Sequence, residues 1–130
     1  DDLKILNNFS SNIEKLRINL NNQNLNFYID FIINSLFDAN KYFNDQEPWK
    51  KKNDLDRLNT IVFVSLEIIR KITIMLFPVI PETSKKVLKI FNLNEKDIIF
   101  NTISDHNYLK SVKKINKIPI LFKKVEKNND

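Results

Sequence analysis

The sequence predicts an all-α protein, an antiparallel bundle of about four helices followed by an irregular C-terminal segment. Apolar residues recur at three- and four-residue steps through most of residues 3–91, which is the spacing of one face of an α-helix. Short polar or proline-containing breaks divide this stretch, and their length suits turns between antiparallel helices. From residue 92 onward the periodic pattern weakens.

The first two predicted helices cover residues 3–20 and 25–43, separated by a polar break. The apolar face of the first consists of Leu3, Leu6, Phe9, Ile13, Leu16 and Leu20. The apolar face of the second consists of Tyr28, Ile29, Ile32, Leu36, Ala39 and Phe43, widened by Phe27, Phe31 and Phe37. A helix this apolar is expected to be largely buried. Asn40 lies within this pattern. Its amide could be buried with hydrogen-bonding partners or exposed at the edge of the helix, and both alternatives stay open.

Two further helices are predicted on either side of a proline-rich turn. The third begins near Leu55, where Asp54 or Asp56 suits its start, and ends before Pro78. The fourth covers residues 82–91. Its inward-facing residues are expected to be Val87, Leu88 and Phe91.

The whole chain, residues 1–130, is read as one domain with a helical core at residues 1–91 and an irregular extension at residues 92–130. Isolated apolar groups at residues 98–100 and 108–109 interrupt a polar background in the extension. A compact apolar patch at residues 118–122 is expected to dock rather than to extend into solvent.

Composition excludes several classes of function. The chain has no cysteine and a single histidine, so disulfides and the usual metal sites are not expected. The absence of glycine argues against Rossmann and Walker nucleotide-binding loops. His106 is read as a solvated loop histidine, and no catalytic constellation is found.

Charged residues interrupt the longest apolar run, so no membrane span is expected, and a cytoplasmic setting fits. The net charge of +5 suits a polyanionic partner.

The loop between the second and third helices contains the only tryptophan. Pro48 should hold Glu47 in an extended conformation, so the preceding helix must end at or before Gln46. Proline is well tolerated at the first position of a helix, which would put Trp49 in the first turn of a new helical segment. An indole beside unpaired backbone N–H groups, followed by Lys50, Lys51 and Lys52, suits single-stranded nucleic acid. The alternative is that Trp49 anchors the loop to the core.

Several motifs, in order and spacing, resemble the anticodon-binding domain of methionyl-tRNA synthetases. They are residues 40–43 (Asn-Lys-Tyr-Phe), 47–50 (Glu-Pro-Trp-Lys), 66–70 (Leu-Glu-Ile-Ile-Arg), 76–83 (Leu-Phe-Pro-Val-Ile-Pro-Glu-Thr) and 118–126 (Ile-Pro-Ile-Leu-Phe-Lys-Lys-Val-Glu). The resemblance covers nearly the whole chain.

This resemblance implies a helical bundle that reads the CAU anticodon of methionine and initiator tRNAs. Trp49 would stack on the first anticodon base. Our own hypothesis from the loop residues adds Pro48 as the brace of Trp49 and Lys50, Lys51 and Lys52 as phosphate contacts. Aminoacylation, with ATP and methionine, would come from a catalytic domain upstream in the same parent chain. The fragment itself is expected to be non-catalytic and to hold no cofactor or metal. Arg70 is expected to pair within the bundle rather than to touch RNA.

The sequence departs from the family pattern at three points, one of which is the absence of the glycine usual near the C-terminal segment. The family carries an asparagine and an arginine for the anticodon on a helix that precedes the first one here, so these groups are expected to be missing. Lys51, Lys52 and Asn53 stand where family members often continue the loop as Leu-Ala-Lys. Two alternatives stay open: a helical protein-interaction module with a patch centred on Phe122, and the anticodon domain of another class I synthetase.

Overall fold

A computed structural model describes residues 2–111 and confirms the predicted all-α fold. Four α-helices pack together: α1 (Asp2–Asn21), α2 (Leu25–Gln46), α3 (Leu55–Leu76) and α4 (Pro81–Ile90). Short 3₁₀ helices follow α2 at Pro48–Lys50 and α4 at Glu95–Asp97, Phe100–Ser104 and Tyr108–Ser111. None of the helices in this part of the chain has the length and apolar character needed to span a membrane.

Local sequence signals explain where α3 and α4 begin. The Asp54 carboxylate accepts a hydrogen bond from the backbone N–H of Arg57 at 3.1 Å, so Asp54 rather than Asp56 is the N-cap of α3. Helix α4 begins at Pro81, one residue before the predicted start. Proline suits the first position of a helix because the backbone N–H that it lacks would have no partner there.

The core forms where α2 and α3 lie antiparallel. The fully buried Tyr28, near the start of α2, donates its hydroxyl to the carbonyl oxygen of Met75, near the end of α3, at 2.6 Å. Helix α1 packs against this pair, and the rings of Phe9 and Phe31 meet edge to face with centroids 6.2 Å apart. The bundle therefore has one core, to which α4, packed on α3, contributes Leu88.

The prediction that α2 is largely buried is wrong for one side of the helix. Its buried residues are Tyr28, Ile32, Ser35 and Tyr42. Ile33, Leu36 and Phe37 are exposed, Phe37 to 67% of its surface. Helices α1 and α3 cover only part of the circumference of α2, and among residues 2–111 the other side stays open to solvent. Asn40 is exposed as well, and so is Leu3 in the first turn of α1.

Three charged side chains from α3 are removed from solvent: Glu67, Arg70 and Lys71. One carboxylate oxygen of Glu67 accepts from Arg70 Nε and Nη2 at 3.1 and 2.9 Å. The other accepts from the backbone N–H of Leu109 at 2.6 Å. We call these three residues the buried charge cluster, and Arg70 pairs within the bundle as expected.

The buried charge cluster holds the segment after α4 through the backbone of that segment. Arg70 Nη2 donates to the carbonyl oxygens of Thr102 and Asp105 at 2.9 and 2.8 Å. Lys71 Nζ donates to the carbonyl oxygens of Ile103 and Asp105 at 2.7 and 2.6 Å. As a result, Ile103 and Leu109 join the hydrophobic core. The expected irregular segment is thus a chain of 3₁₀ turns as far as Ser111.

His106 is not the solvated loop histidine that we expected. Its ring is half-buried, and its Nε2 forms a hydrogen bond of 3.1 Å with Asn7 Oδ1 in α1. Burial lowers the pKa of His106, so this contact is made by a neutral ring near neutral pH. The apolar patch at residues 118–122 lies outside the described residues, and its docking stays a prediction.

Lys71 should make stability depend on pH in the mildly alkaline range. Burial, reinforced by the charge of Arg70, lowers the pKa of Lys71 to about 8, whereas in the unfolded chain this lysine has its ordinary, higher pKa. From about pH 8 to about pH 9, below the range in which tyrosines titrate, the unfolded state therefore holds more protons at this lysine, and the free energy of unfolding should rise by about 1 kcal/mol. Urea unfolding at a series of pH values measures this slope.

The slope should disappear in Lys71→Met, although this variant is also less stable because the buried carbonyl oxygen of Ile103 loses its donor, whereas that of Asp105 keeps Arg70. Lys86→Met, at an exposed position of α4, should keep the wild-type slope. Equal slopes in the wild type and Lys71→Met would contradict the prediction.

Candidate nucleic-acid interface

The connection between α2 and α3 begins with a left-handed residue. Helix α2 ends at Gln46, as predicted, but Glu47 has φ 46° and ψ 58° instead of the predicted extended conformation. The N–H of Glu47 bonds to the carbonyl oxygen of Asn44 at 3.3 Å, which closes the end of the helix. Left-handed residues often end helices, and this conformation also avoids the right-handed helical region that a following proline disfavours.

Pro48 opens the 3₁₀ helix that contains Trp49, which confirms that the tryptophan lies in the first turn after the proline. The N–H of Lys50 donates to Glu47 O at 2.9 Å, and that of Lys51 donates to Pro48 O at 3.1 Å. Pro48 is buried. The proline thus anchors the turn to the bundle and holds its neighbour near the surface.

Trp49 lies at the end of the bundle with 52% of its surface exposed. Its ring is tilted by 58° against the ring of Phe43, with centroids 6.2 Å apart. The alternative in which Trp49 anchors the loop to the core does not hold, because Pro48 is the buried residue of this turn. An aromatic ring supported on one side and open on another can accept a stacking partner.

The lysines after Trp49 differ in their surroundings. Lys50 Nζ forms an ion pair with Glu47 Oε1 at 2.8 Å, a contact that the sequence analysis missed. Lys51 is half-buried and Lys52 is exposed. The positive charge beside the indole is therefore partly neutralised at Lys50, whereas Lys52 is exposed.

A second group of residues, which the sequence analysis did not identify, lies at the base of the loop. Arg57 Nη1 and Nη2 donate to the two carboxylate oxygens of Asp2 at 2.7 and 3.0 Å. Arg57 Nη2 also donates to Gln46 Oε1, and the Tyr42 hydroxyl donates to Asp2 Oδ1 at 2.6 Å. The hydrogen bonds from Arg57 hold the pKa of the Asp2 carboxyl below its usual value. We call Asp2, Tyr42, Gln46 and Arg57 the arginine clamp.

A wide groove of about 920 Å³ runs between α1 and α2 as far as Gln46. Its charges balance, with Lys4 and Lys41 against Asp38 and Asp45. Such a groove offers no net attraction to an anion, so we do not assign the RNA interface to it. Within residues 2–111, no group of three or more acidic or histidine side chains is placed to hold a metal ion.

The left-handed backbone of Glu47 can be tested by comparing two substitutions. This conformation costs a residue with a side chain about 1–2 kcal/mol and glycine almost nothing, and β-branched residues tolerate it worst. Both Glu47→Gly and Glu47→Val lose the ion pair to Lys50. We therefore expect Glu47→Val to be less stable than Glu47→Gly by about 1 kcal/mol or more in urea unfolding.

The same exchange at Asp45, within the last turns of α2, is the control. There the backbone is helical and valine is the better residue, so Asp45→Val should be the more stable of the pair. Equal stability of the two Glu47 variants would mean that the turn does not require the left-handed conformation.

Comparison with known proteins agrees with this geometry. Residues 6–130 match a family described as the anticodon binding domain of methionyl tRNA ligase. A methionine–tRNA ligase from Rickettsia conorii is 30% identical over 126 residues, which are 96% of this chain and 25% of the relative. One from Thermotoga maritima is 40% identical over 70 residues, 52% of this chain and 11% of the relative. One from Mycobacterium leprae is 30% identical over 108 residues, 79% of this chain and 20% of the relative.

The chain thus spans a quarter or less of the length of these relatives. The family match, by contrast, includes the loop with Trp49, the buried charge cluster and the segment after α4. It favours a methionine-specific family over the anticodon domain of another class I synthetase. The chain therefore belongs to the family of anticodon-binding domains of methionyl-tRNA ligases, which are tRNA-binding domains.

Proposed function

We propose that this domain binds the CAU anticodon loop of methionine and initiator tRNAs and that Trp49 stacks on the first anticodon base. The observation that carries the proposal is the half-exposed indole at the end of the bundle, supported by Phe43 and followed by lysines. Proteins that bind unpaired bases combine aromatic surfaces with positive charge in this way.

The residues around Trp49 have separate roles in this proposal. Pro48 is the buried brace that fixes the position of the indole. Lys52 is an exposed partner for a phosphate, whereas Lys50 must share its charge with Glu47 and Lys51 is half-buried. Stacking accepts any base, so the choice of cytosine requires hydrogen-bonding groups as well. The family resemblance assigns such groups to a preceding helix.

The parent protein would use this domain for recognition alone. Its relatives are methionine–tRNA ligases several times longer than the chain. We infer that a catalytic domain in the same parent chain attaches methionine to tRNA with ATP. The domain described here would hold the anticodon end of the tRNA and contribute no catalytic group.

Replacing the indole should weaken RNA binding without unfolding the domain. Stacking of one base on an aromatic side chain contributes about 1–3 kcal/mol, so Trp49→Ala should bind a CAU anticodon stem-loop roughly 5- to 150-fold more weakly. Unfolding stability should change little because the side chain is half exposed. Fluorescence anisotropy of a labelled stem-loop at two salt concentrations measures the affinity, and urea unfolding measures the stability.

Phe37→Ala is the matched control, because Phe37 is another exposed aromatic residue and lies on the uncovered side of α2. This variant should bind RNA as the wild type does. Trp49→Phe should keep part of the affinity, since a smaller ring can still stack. RNA affinity of Trp49→Ala equal to that of the wild type would remove the assigned role.

The alternative function, a protein-interaction module, draws support from the exposed apolar residues of α2, such as Leu36 and Phe37. The patch centred on Phe122 that we expected for it lies outside the described residues. This alternative would be favoured if the domain bound a protein partner and stem-loop RNA did not displace that partner.

A further inference from the structure

We propose that Arg57 is a positioning residue for Trp49: by joining Asp2 to Gln46 it fixes the end of α2 from which the tryptophan turn leaves. The inference rests on the proposed function, because its consequence is a change in RNA affinity. Arg57 would thus contribute to tRNA binding although its guanidinium hydrogen-bonds to Asp2 and Gln46 of the protein itself.

The geometry of the arginine clamp restricts orientation as well as distance. Two nitrogens of Arg57 face two oxygens of Asp2 at 2.7 and 3.0 Å, a bidentate arrangement that keeps the two planar groups aligned. One of these nitrogens also bonds to Gln46. The clamp therefore joins the first turns of α1 and α3 to the last residue of α2.

Little flexible chain separates Gln46 from the indole. Glu47 is held in the left-handed region, and the ring of Pro48 restricts its own φ and is buried. Phe43, which supports the indole directly, belongs to the last turn of the same helix. A shift of the end of α2 would therefore move both Trp49 and its support.

The clamp is shielded from water more than other ion pairs at this end of the bundle. The side chains of Arg57 and Asp2 are 32% and 25% exposed, whereas those of Lys41 and Asp45 are 76% and 59% exposed. Exposed pairs contribute little, because water and salt screen them. Asp2 also accepts the hydroxyl of Tyr42, so its removal leaves both Arg57 and Tyr42 without this acceptor.

Asp2→Asn and Asp45→Asn form a charge-matched test. Each removes one negative charge near the loop, so long-range electrostatics should make RNA binding equal or slightly tighter in both. Only Asp2→Asn breaks the bidentate contact, and we expect it to bind the CAU stem-loop about three- to tenfold more weakly. Arg57→Met should show a larger loss, because it also removes a positive charge that attracts RNA.

The same variants in the Trp49→Ala background show whether the effect passes through the indole. If Arg57 acts by positioning Trp49, then Asp2→Asn causes no further loss once the indole is gone. Arg57→Met should keep only the small loss that comes from removing a positive charge near the RNA. Asp2→Asn also keeps the charge of Arg57. If Arg57 contacted RNA directly, this variant would bind as tightly as the wild type or more tightly.

A measurement without RNA decides the positioning independently. In the free protein, Asp2→Asn should increase the mobility of Trp49 in time-resolved fluorescence anisotropy and its quenching by acrylamide, while Asp45→Asn should not. Urea unfolding confirms that each variant is folded. If Arg57→Met does not fold, Asp2→Asn, which keeps the size of the side chain, tests the positioning role alone.

Three results would be decisive. Wild-type affinity in Asp2→Asn, or a loss that persists in full in the Trp49→Ala background, overturns the positioning role. Wild-type affinity in Trp49→Ala instead overturns the proposed function, and the RNA-free mobility then supports or overturns the positioning by itself.

Discussion

The buried charge cluster of α3 is the constraint on which the shape of the domain depends. Three charged side chains within little more than one turn lie out of water, so each needs partners with good geometry. The segment after α4 supplies them, and leaving one buried charge without its partner costs about 3–5 kcal/mol. This requirement brings the segment against α3 and carries Ile103 and Leu109 into the core.

Helix α3 organises both ends of the bundle by the same means. Near its C-terminal end, Arg70 and Lys71 hold the segment after α4, and at its first turn Arg57 holds α1 and α2. Helix α1 is also tied at several levels, through Asp2 at the loop end and through the contact of Asn7 with His106. Contacts among three helices therefore fix the base from which the loop with Trp49 projects.

The parts of the fold that depend on local signals could be predicted from the sequence. Periodic apolar residues identify the helices, and Pro48 and Asp54 mark where α2 must stop and α3 must start. Periodicity cannot tell whether a neighbour covers an apolar face, so the exposure of Leu36 and Phe37 was missed. The bond between Asp2 and Arg57 joins residues far apart in sequence, and only the packing of the helices brings them together. The site was predictable as far as Pro48 and Trp49, because both follow from one local turn.

The sequence has no glycine, and between residues 2 and 111 the left-handed positions are Gln23, Glu47 and Asn92. Each of these residues has fewer conformations in an unfolded or loosened chain than glycine would have. At the loop, a left-handed Glu47 followed by a proline leaves the backbone before Trp49 with very little freedom when the protein is unbound. A partner that docks on such a preorganised ring immobilises almost nothing in the protein, so the loss of conformational entropy on association is small.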